Sequence, residues 1–193
     1  MRQGASRHKL ADRGDDLYET PACATKTLLR VEHVPMFVWE PCAGRGAISD
    51  ILRDYGRTVI ASDLNAHSDA APYIETHRDF LMETQPRAST IVTNPPYKLA
   101  NEMIRHGLAL GCDVIVLLRL MSIEGAARSD LIDGHLWRIW AGIERLPTMH
   151  RDGWTGPKHS NSGAPFAWFV FKPEKRPARS PIELRRVSWR SED

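Results

Sequence analysis

Residues 36–63 read MFVWEPCAGRGAISDILRDYGRTVIASD, and this stretch decides the fold. It starts with a short apolar strand at 36–40, and a loop with two glycines leads into an amphipathic helix at 47–55. A second strand follows at 58–62, and an acid, Asp63, stands at its end. Strand, loop, helix and strand in this order predict a βαβ unit of the nucleotide-binding type, with parallel strands on either side of the helix.

The loop of this unit carries residues that suit a positively charged nucleoside. Gly44 and Gly46 allow the backbone to approach a ligand closely. Asp63 is placed where the acid of such a unit accepts hydrogen bonds from ribose hydroxyls. The loop lacks the third glycine and the lysine of phosphate-binding loops, and Glu40 adds a carboxylate at its start. A carboxylate favours a cation over a pyrophosphate, so the loop disfavours NAD and ATP and favours S-adenosylmethionine.

A second polar turn follows another apolar strand. The strand is predicted at 89–93, the turn reads Asn94-Pro95-Pro96-Tyr97, and a helix is predicted from 98 to 107. In open α/β sheets, ligands bind at the carboxyl ends of the strands, where this turn lies. The two prolines fix the backbone, so the Asn94 amide oxygen and the Pro95 carbonyl form a rigid pair of acceptors for an NH₂ group. Tyr97 offers a flat face for a planar ring.

The rest of the chain predicts further elements of an α/β domain. Thr20 is expected to be the N-cap of a helix at 21–31 that has Pro21 at its first position. The remaining predicted elements are a third strand at 73–77, a central strand at 113–118, a helix at 122–132, and strands at 137–146 and 166–171.

Length and composition indicate one domain. The chain has 193 residues and three cysteines, Cys23, Cys42 and Cys112, which are too few and too widely spaced for a disulfide framework or a zinc site. No apolar run is long enough to cross a bilayer, so a membrane is not expected as a partner, and the sparse cysteines give no reason to expect a metal. We predict a disordered arm at 1–16, a catalytic domain at 17–172 and a basic tail at 173–193.

The net charge of +2 hides an uneven distribution of basic residues. Residues 145–190 contain 10 Lys and Arg against 3 acids, whereas residues 1–144 contain 16 against 19. A basic segment on a slightly acidic body indicates a polyanionic partner, although a solvated tail would have the same composition. The loop predicted at 147–165 is long for a compact domain, which is typical of functional loops.

These motifs resemble a known enzyme family. Asn94-Pro95-Pro96-Tyr97 is similar to the catalytic signature of the S-adenosylmethionine-dependent N6-adenine DNA methyltransferases, and residues 40–46 are similar to their cofactor loop. Residues 18–21 resemble the motif that precedes this loop in the gamma-ordered group. The resemblance covers residues 17–171. It implies a Rossmann-like class I methyltransferase fold, α/β, with a seven-stranded, mostly parallel, doubly wound sheet and an antiparallel terminal strand.

The resemblance also implies roles for individual residues. Asp79 and Phe80 would contact the adenine of the cofactor, and Asp63 its ribose. The target adenine would be flipped out of the DNA and stacked on Tyr97, while Asn94 and Pro95 accept hydrogen bonds from its amino group. The implied cofactor site comprises Tyr18, Thr20, Pro21, Glu40, Pro41, Cys42, Ala43, Gly44, Gly46, Asp63, Leu64, Asp79 and Phe80, and the implied catalytic residues are Asn94, Pro95, Pro96 and Tyr97.

The expected partner is DNA, in the cytoplasm of a bacterial or phage-infected cell, and the product of the cofactor is S-adenosylhomocysteine. No target-recognition domain is inserted between Phe80 and Asn94, so contact with DNA falls to the 147–165 loop and the tail. Trp154 or Phe166 would hold the second face of the base. The residues assigned to nucleic-acid binding are Arg151, Trp154, Lys158 and His159.

Three alternatives remain open from the sequence. An enzyme that methylates an RNA base would present the same acceptors, and so would one that methylates a glutamine amide of a protein. The third is a non-catalytic nucleic-acid-binding module on a methyltransferase fold. The sequence indicates neither the target sequence nor the oligomeric state.

Overall fold

A computed structural model describes residues 18–147, 149 and 161–190 of the chain. The helices are α1 (Ala22–Val31), α2 (Ala47–Asp54), α3 (Ala100–Ala109) and α4 (Ser129–Gly134). The strands are β1 (Phe37–Glu40), β2 (Thr58–Ala61), β3 (Thr90–Thr93), β4 (Asp113–Arg119), β5 (Leu136–Gly142), β6 (Phe166–Phe171) and β7 (Glu183–Val187). The predicted arm at 1–16 lies outside the described residues.

The strands form one mixed sheet in the order β2-β1-β3-β4-β6-β5-β7. Strand β6 is antiparallel to both of its neighbours, β4 and β5, and the other neighbouring strands are parallel. The predicted α/β fold with one antiparallel strand is therefore confirmed. The antiparallel strand is not terminal, however, because β7 follows it in the chain and extends the sheet beyond β5.

Helices cover both faces of the sheet, as a doubly wound fold requires. On one face, Leu28 of α1 and Leu52 of α2 pack with Val38 of β1 in a buried apolar cluster. On the other face, Ile104 of α3 and Leu131 of α4 belong to a second buried cluster. The central strands are buried on both sides, which explains why their sequences are continuously apolar rather than alternating.

The prediction of a strand at 73–77 is wrong. Only Glu75 in this segment pairs with the sheet edge, through a single bridge to Ser62. A turn in which the Ile74 N–H donates to the Ala71 carbonyl at 3.0 Å leads into the bridge, and His77, with a φ of 59°, follows it. Pairing is confined to one residue because the backbone changes direction on both sides of it.

The prediction that residues 173–193 form a tail outside the domain is also wrong. Residues 183–187 form β7, which pairs in parallel with β5. Trp189 is 3% exposed, and Glu144 accepts a hydrogen bond from its backbone N–H at 2.8 Å. Strand β7 reads ELRRV, and such charged sequences are common on sheet edges because they discourage pairing with other chains. Its composition therefore resembles that of a tail.

Several basic residues of this segment have structural roles. Arg176 donates hydrogen bonds to the carbonyls of Leu136 and Asp133, and Arg185 pairs with Glu183 at 2.5 Å. Arg176 thus ties the segment to the start of β5, and Glu183 balances the charge of Arg185 within β7, so the positive charge of the segment is not all available to a partner.

The helix predicted at 122–132 is shorter than expected. Two single 3₁₀ turns, Leu120–Ile123 and Ala126–Arg128, precede α4. Gly125 separates them with a φ of 105°, a left-handed conformation that interrupts a right-handed helix.

Candidate active site

The candidate site is a cavity of about 260 Å³ at the carboxyl ends of β1, β2 and β3. Both motifs that the sequence indicated, at 40–46 and 94–97, contribute residues to the lining of this cavity. The lining includes Tyr18, Thr20, Glu40, Pro41, Cys42, Ala43, Asp63, Leu64, Asp79, Phe80, Asn94, Pro95, Pro96 and Tyr97. The other predicted cofactor residues, Pro21, Gly44 and Gly46, are not part of the lining.

The glycines of the loop shape its backbone. Gly46 precedes α2 with a φ of 103°, and a Cβ at this position would come within 3.0 Å of the Tyr73 hydroxyl. Gly44 has a φ of 55°, and its N–H donates to Asp63 Oδ2 at 2.8 Å. A larger residue at position 46 would therefore strain the backbone and collide with Tyr73.

Asp63 connects the two loops that border the cavity. Its Oδ2 accepts from Gly44 in the loop after β1, and its Oδ1 accepts from the Asn65 N–H at 2.9 Å in the loop after β2. A carboxylate has about four lone-pair sites, so both oxygens can still accept from a ligand hydroxyl. Because it lines the cavity and is nearly buried, Asp63 is suited to bind a ribose.

Glu40 is more deeply buried than the sequence suggested. It is 1% exposed, and its carboxyl group accepts a hydrogen bond from the Ser49 hydroxyl of α2. Burial raises the pKa of Glu40 well above the ordinary value, and the nearby Asp63 and Asp50 act in the same direction. A cation bound in the cavity would oppose this shift, so the charge of Glu40 depends on what the cavity holds.

Cys42 faces the cavity as a thiol. Burial raises the pKa of Cys42, and the negative charges of Asp63 and Glu40 raise it further. The thiolate is the nucleophilic form of cysteine. Cys42 therefore stays a thiol and is a poor nucleophile.

Asp79 and Phe80 form the far wall of the cavity. Asp79 accepts from the Leu81 N–H at 2.9 Å and so caps a short 3₁₀ turn. Phe80 is buried and meets Trp39 edge to face, with ring centroids 5.0 Å apart. Both residues have structural contacts and also line the cavity.

The Asn94 side chain is held in one orientation by its NH₂ end. Its Nδ2 donates to the Thr20 hydroxyl at 3.1 Å and to the Tyr18 carbonyl at 3.3 Å, and the Met149 sulfur lies 3.8 Å away. None of the described donors reaches Oδ1 of Asn94. The amide oxygen is thus presented as an acceptor at the cavity wall.

Thr20 differs from the sequence prediction. It was expected to cap α1, but Pro21 holds the N-cap position and its carbonyl accepts from the Ala24 N–H at 2.9 Å. The Thr20 hydroxyl is directed to Asn94 instead. Tyr18 and Thr20 therefore hold the Asn94 side chain as well as lining the cavity.

The carbonyls of Pro95 and Pro96 differ in their hydrogen bonds. The Leu99 N–H donates to the Pro96 carbonyl at 3.0 Å, and this bond leads into α3. The described backbone hydrogen bonds of the turn use Pro96 rather than Pro95. Neither Asn94 Oδ1 nor the Pro95 carbonyl accepts a hydrogen bond from the described part of the chain, so both can accept from a ligand.

The Tyr97 ring contacts an arginine and a second tyrosine. The guanidinium carbon of Arg119 is 4.7 Å from the centroid of the Tyr97 ring. The Tyr18 ring is 5.9 Å away and tilted by 48°. The sequence analysis missed Arg119, which lies in no motif and is 22 positions from Tyr97 in the sequence.

Arg45, within the glycine loop, was also given no role. It forms ion pairs with Glu19 at 3.3 Å and with Asp69 at 2.8 Å. These pairs tie the segment before α1 to the loop after β2, and Arg45 also lines the cavity. Its position between the two glycines was the only sequence signal for this role.

The residues that flank the long loop after β5 are paired with each other near the Asn94–Tyr97 turn. Pro147 and Asn161 form a β-bridge, and the Ser162 N–H donates to the Leu146 carbonyl at 2.8 Å. Met149, just past the first anchor, contacts Asn94. The predicted nucleic-acid contacts, Arg151, Trp154, Lys158 and His159, lie outside the described residues.

Phe166, the other aromatic considered for the base, is 4% exposed and packs in the core as the first residue of β6. Within residues 18–147, 149 and 161–190, no group of three His, Cys, Asp or Glu side chains could hold a metal ion. In the same part of the chain, no helix combines the length and the apolar character needed to span a bilayer.

Solved structures share the fold at low sequence identity. A candidate RNA methyltransferase from Pyrococcus horikoshii has a TM-score of 0.57 and 13% identity, over 80% of this chain and 86% of that one. The 23S rRNA methyltransferase ErmE has a TM-score of 0.53 and 16% identity, over 83% and 70%. A candidate O-methyltransferase from Agrobacterium tumefaciens, Atu636, has a TM-score of 0.52 and 16% identity, over 88% and 86%.

No protein-family model matches the sequence, and no curated protein is significantly similar to it. The similar structures show that the chain has the Rossmann-like methyltransferase fold. Their names give different substrates for methylation, so the substrate of this chain has to be argued from the side chains of the site.

Proposed function

We propose that this protein transfers a methyl group from S-adenosylmethionine to the N6 amino group of adenine in DNA. The observation that carries the proposal is the orientation of Asn94. Its NH₂ end is occupied by Thr20 and Tyr18, so its oxygen is presented beside the cavity wall formed by the two prolines. A site with two fixed acceptors and an aromatic ring suits a planar amine.

The cavity supports S-adenosylmethionine as the cofactor. Asp63 can accept from the ribose hydroxyls, and Asp79 with Phe80 can hold the adenine on the opposite wall. Glu40 and Asp63 make the interior acidic, which favours a ligand with a sulfonium and an ammonium group. The protonated Cys42 thiol does not compete for the methyl group.

The chain's own residues contribute chiefly positioning. The Asn94 oxygen and the Pro95 carbonyl accept hydrogen bonds from the two N–H groups of the target amine. These bonds draw the nitrogen lone pair out of conjugation with the ring and direct it towards the methyl carbon. The nitrogen–carbon bond forms as the carbon–sulfur bond breaks, S-adenosylhomocysteine is released, and the amine loses one proton to water. Alignment of the two reactants accounts for most of the rate because the sulfonium is already a good electrophile.

A nucleic acid is favoured over a protein acceptor by the charge of the chain. Residues 145–190 are basic, and the loop within this segment is anchored beside Asn94. DNA is proposed over RNA because the motifs resemble those of DNA methyltransferases. RNA is the second candidate, since two of the similar structures are named as RNA methyltransferases.

The substrate class is tested by offering the acceptors in parallel. The protein is incubated with tritiated S-adenosylmethionine and with unmethylated DNA, total RNA or bacterial protein, and the label in each polymer is counted. The proposal predicts label in DNA. Label confined to RNA or to protein would replace it with the corresponding alternative, and a protein that binds DNA but labels no acceptor would support the non-catalytic module.

Thr20 provides a test of how Asn94 is held. Replacement of Thr20 by valine removes the hydroxyl that accepts from Asn94 Nδ2 but keeps the side-chain shape. We expect kcat to fall about tenfold, because loss of a buried hydrogen bond frees the amide to rotate. The affinity for S-adenosylmethionine, measured by calorimetry, should change much less than kcat.

Thr25 of α1, five positions after Thr20, is a matched control. It is fully buried, and its hydroxyl has no hydrogen-bond partner among the described residues. Thr25→Val should therefore leave both kcat and cofactor affinity near the wild-type values. Equal kcat for the Thr20→Val and wild-type proteins would show that Thr20 does not orient Asn94.

A further inference from the structure

We propose that Arg119 binds a phosphate of the target nucleotide while its guanidinium stacks on Tyr97. This inference rests on the proposed function, because it assigns a nucleic acid to the same site. It gives the site a phosphate contact on the sheet that is independent of the loop at 147–165.

The position of Arg119 follows from the register of the sheet. Thr93, the last residue of β3, pairs with Val116 of β4, and β4 continues for three more residues to Arg119. Strand β4 therefore extends beyond β3 on the side where the Asn94–Tyr97 turn lies. This extension brings the Arg119 guanidinium carbon to 4.7 Å from the Tyr97 ring centroid.

Arg119 differs from Arg105 and Arg45 in its partners. Arg105 pairs with Asp130 at 2.7 Å, and Arg45 pairs with Glu19 and Asp69. No carboxylate of the described residues lies within ion-pairing distance of Arg119, although its side chain is exposed. A cation that is fixed by an aromatic ring and not neutralised by an acid is suited to an anionic ligand.

The chemistry of that anion follows from the geometry. A guanidinium group can place its flat face on an aromatic ring and still direct its N–H bonds outward in its own plane. Phosphate accepts such N–H bonds in pairs. A nucleotide whose base reaches the Asn94–Tyr97 turn has its own phosphates beside the ring, so a phosphate within this reach is the expected partner.

The neighbouring charges act in the same direction. Lys98 follows Tyr97 directly, is exposed, and has no carboxylate partner in the described part of the chain. Arg128 donates to the Ser122 carbonyl at 2.9 Å, which holds a third cation on the segment that follows Arg119. Exposed acids are also close to these cations in the sequence, namely Glu102, Glu124 and Asp130, and Asp130 is paired with Arg105.

The test measures binding rather than turnover. A fluorescent, unmethylated DNA duplex is titrated with the full-length protein in the presence of S-adenosylhomocysteine, at several salt concentrations. Arg119→Met, which keeps the length of the side chain and removes its charge, should weaken binding about tenfold at low salt. The slope of log K against log salt should become shallower by about one, as expected for one lost phosphate contact.

The matched control is Arg53, which also stacks on a tyrosine. Its guanidinium carbon is 4.1 Å from the ring centroid of Tyr73, near the end of α2 and away from the catalytic turn. Arg53→Met should leave both the DNA affinity and its salt slope unchanged. Arg119→Lys should retain the salt slope while binding more weakly than wild type, because an ammonium group cannot form the paired hydrogen bonds.

The outcomes separate this proposal from the proposed function. If Arg119→Met binds DNA as tightly as wild type, or more tightly because the arginine covered the ring in place of the base, the phosphate role is wrong whatever the turnover. If the Arg119→Met effect is found but the wild-type protein labels no nucleic acid with tritium, the methyl-transfer function is wrong and the phosphate contact stands.

Discussion

Replacement of Asn94 by alanine should lower methyl transfer roughly a thousandfold, as expected when a group that acts on the reacting atoms is removed. The amide oxygen would no longer hold the target amine, and the Pro95 carbonyl alone cannot fix both N–H bonds. The measurement is single-turnover transfer of tritium from S-adenosylmethionine to DNA. Cofactor affinity should stay within a few-fold of wild type, because the carboxylates proposed to bind the cofactor, Asp63 and Asp79, are unchanged.

Asn101 offers a control for this variant. It lies on α3, seven positions after Asn94, and is only partly buried. Asn101→Ala should retain wild-type turnover and thermal stability. Turnover by Asn94→Ala that is comparable to that of Asn101→Ala would remove the Asn94 turn from the mechanism.

A chain that ends at Ser180 should lose much of its stability. The truncation removes β7 and with it the pairing to β5, and it exposes the surface that Trp189 covers. Loss of a buried tryptophan alone typically costs about 3–5 kcal/mol, out of a total of about 5–15 kcal/mol. Thermal unfolding followed by circular dichroism should show a midpoint at least about 10 °C lower.

The control for the truncation is a chain that ends at Arg190, which keeps β7 and Trp189. It also keeps the bonds from Thr27 and Arg30 of α1 to the Ser188 carbonyl, at 3.2 and 2.7 Å. We expect its midpoint to match that of the full chain. A Ser180 truncation that is as stable as this control would mean that residues 181–190 are a dispensable tail after all.

The parts of the molecule that the sequence predicted well are those with local signals. The β1–α2–β2 unit was recognisable because a glycine loop separates an apolar strand from an amphipathic helix. The turn at 94–97 was recognisable because two prolines and an apolar strand fix its position. In both cases the relevant contacts lie within about thirty residues, where periodicity and turn residues carry the information.

The parts that were missed depend on contacts between distant segments. Thr20 bonds to Asn94 across 74 residues, and nothing in the sequence near Thr20 distinguishes this role from a helix cap. Strand β7 acquires its pairing only when β5 is beside it, and its charged sequence is that of an edge. Arg119 reaches the Tyr97 ring because β4 extends beyond β3, a property that the register sets and the residue type does not reveal.

The Rossmann-like methyltransferase fold does not determine which molecule receives the methyl group. The side chains around Asn94 restrict the choice. Orientation of the Asn94 amide, the acceptors of the turn and the ring of Tyr97 all favour an exocyclic amine on a planar base. The acidic interior favours a cationic cofactor on the other side. Both conclusions depend on the same cavity, so one measurement can test them together.

That measurement is the identity of the methylated nucleoside. Unmethylated DNA is incubated with S-adenosylmethionine and the wild-type or Asn94→Ala protein, digested to nucleosides, and analysed by mass spectrometry. Our account predicts N6-methyl-2′-deoxyadenosine with the wild-type protein and none above background with the variant. Methylation of a different base, or equal amounts of N6-methyladenine with both proteins, would contradict it.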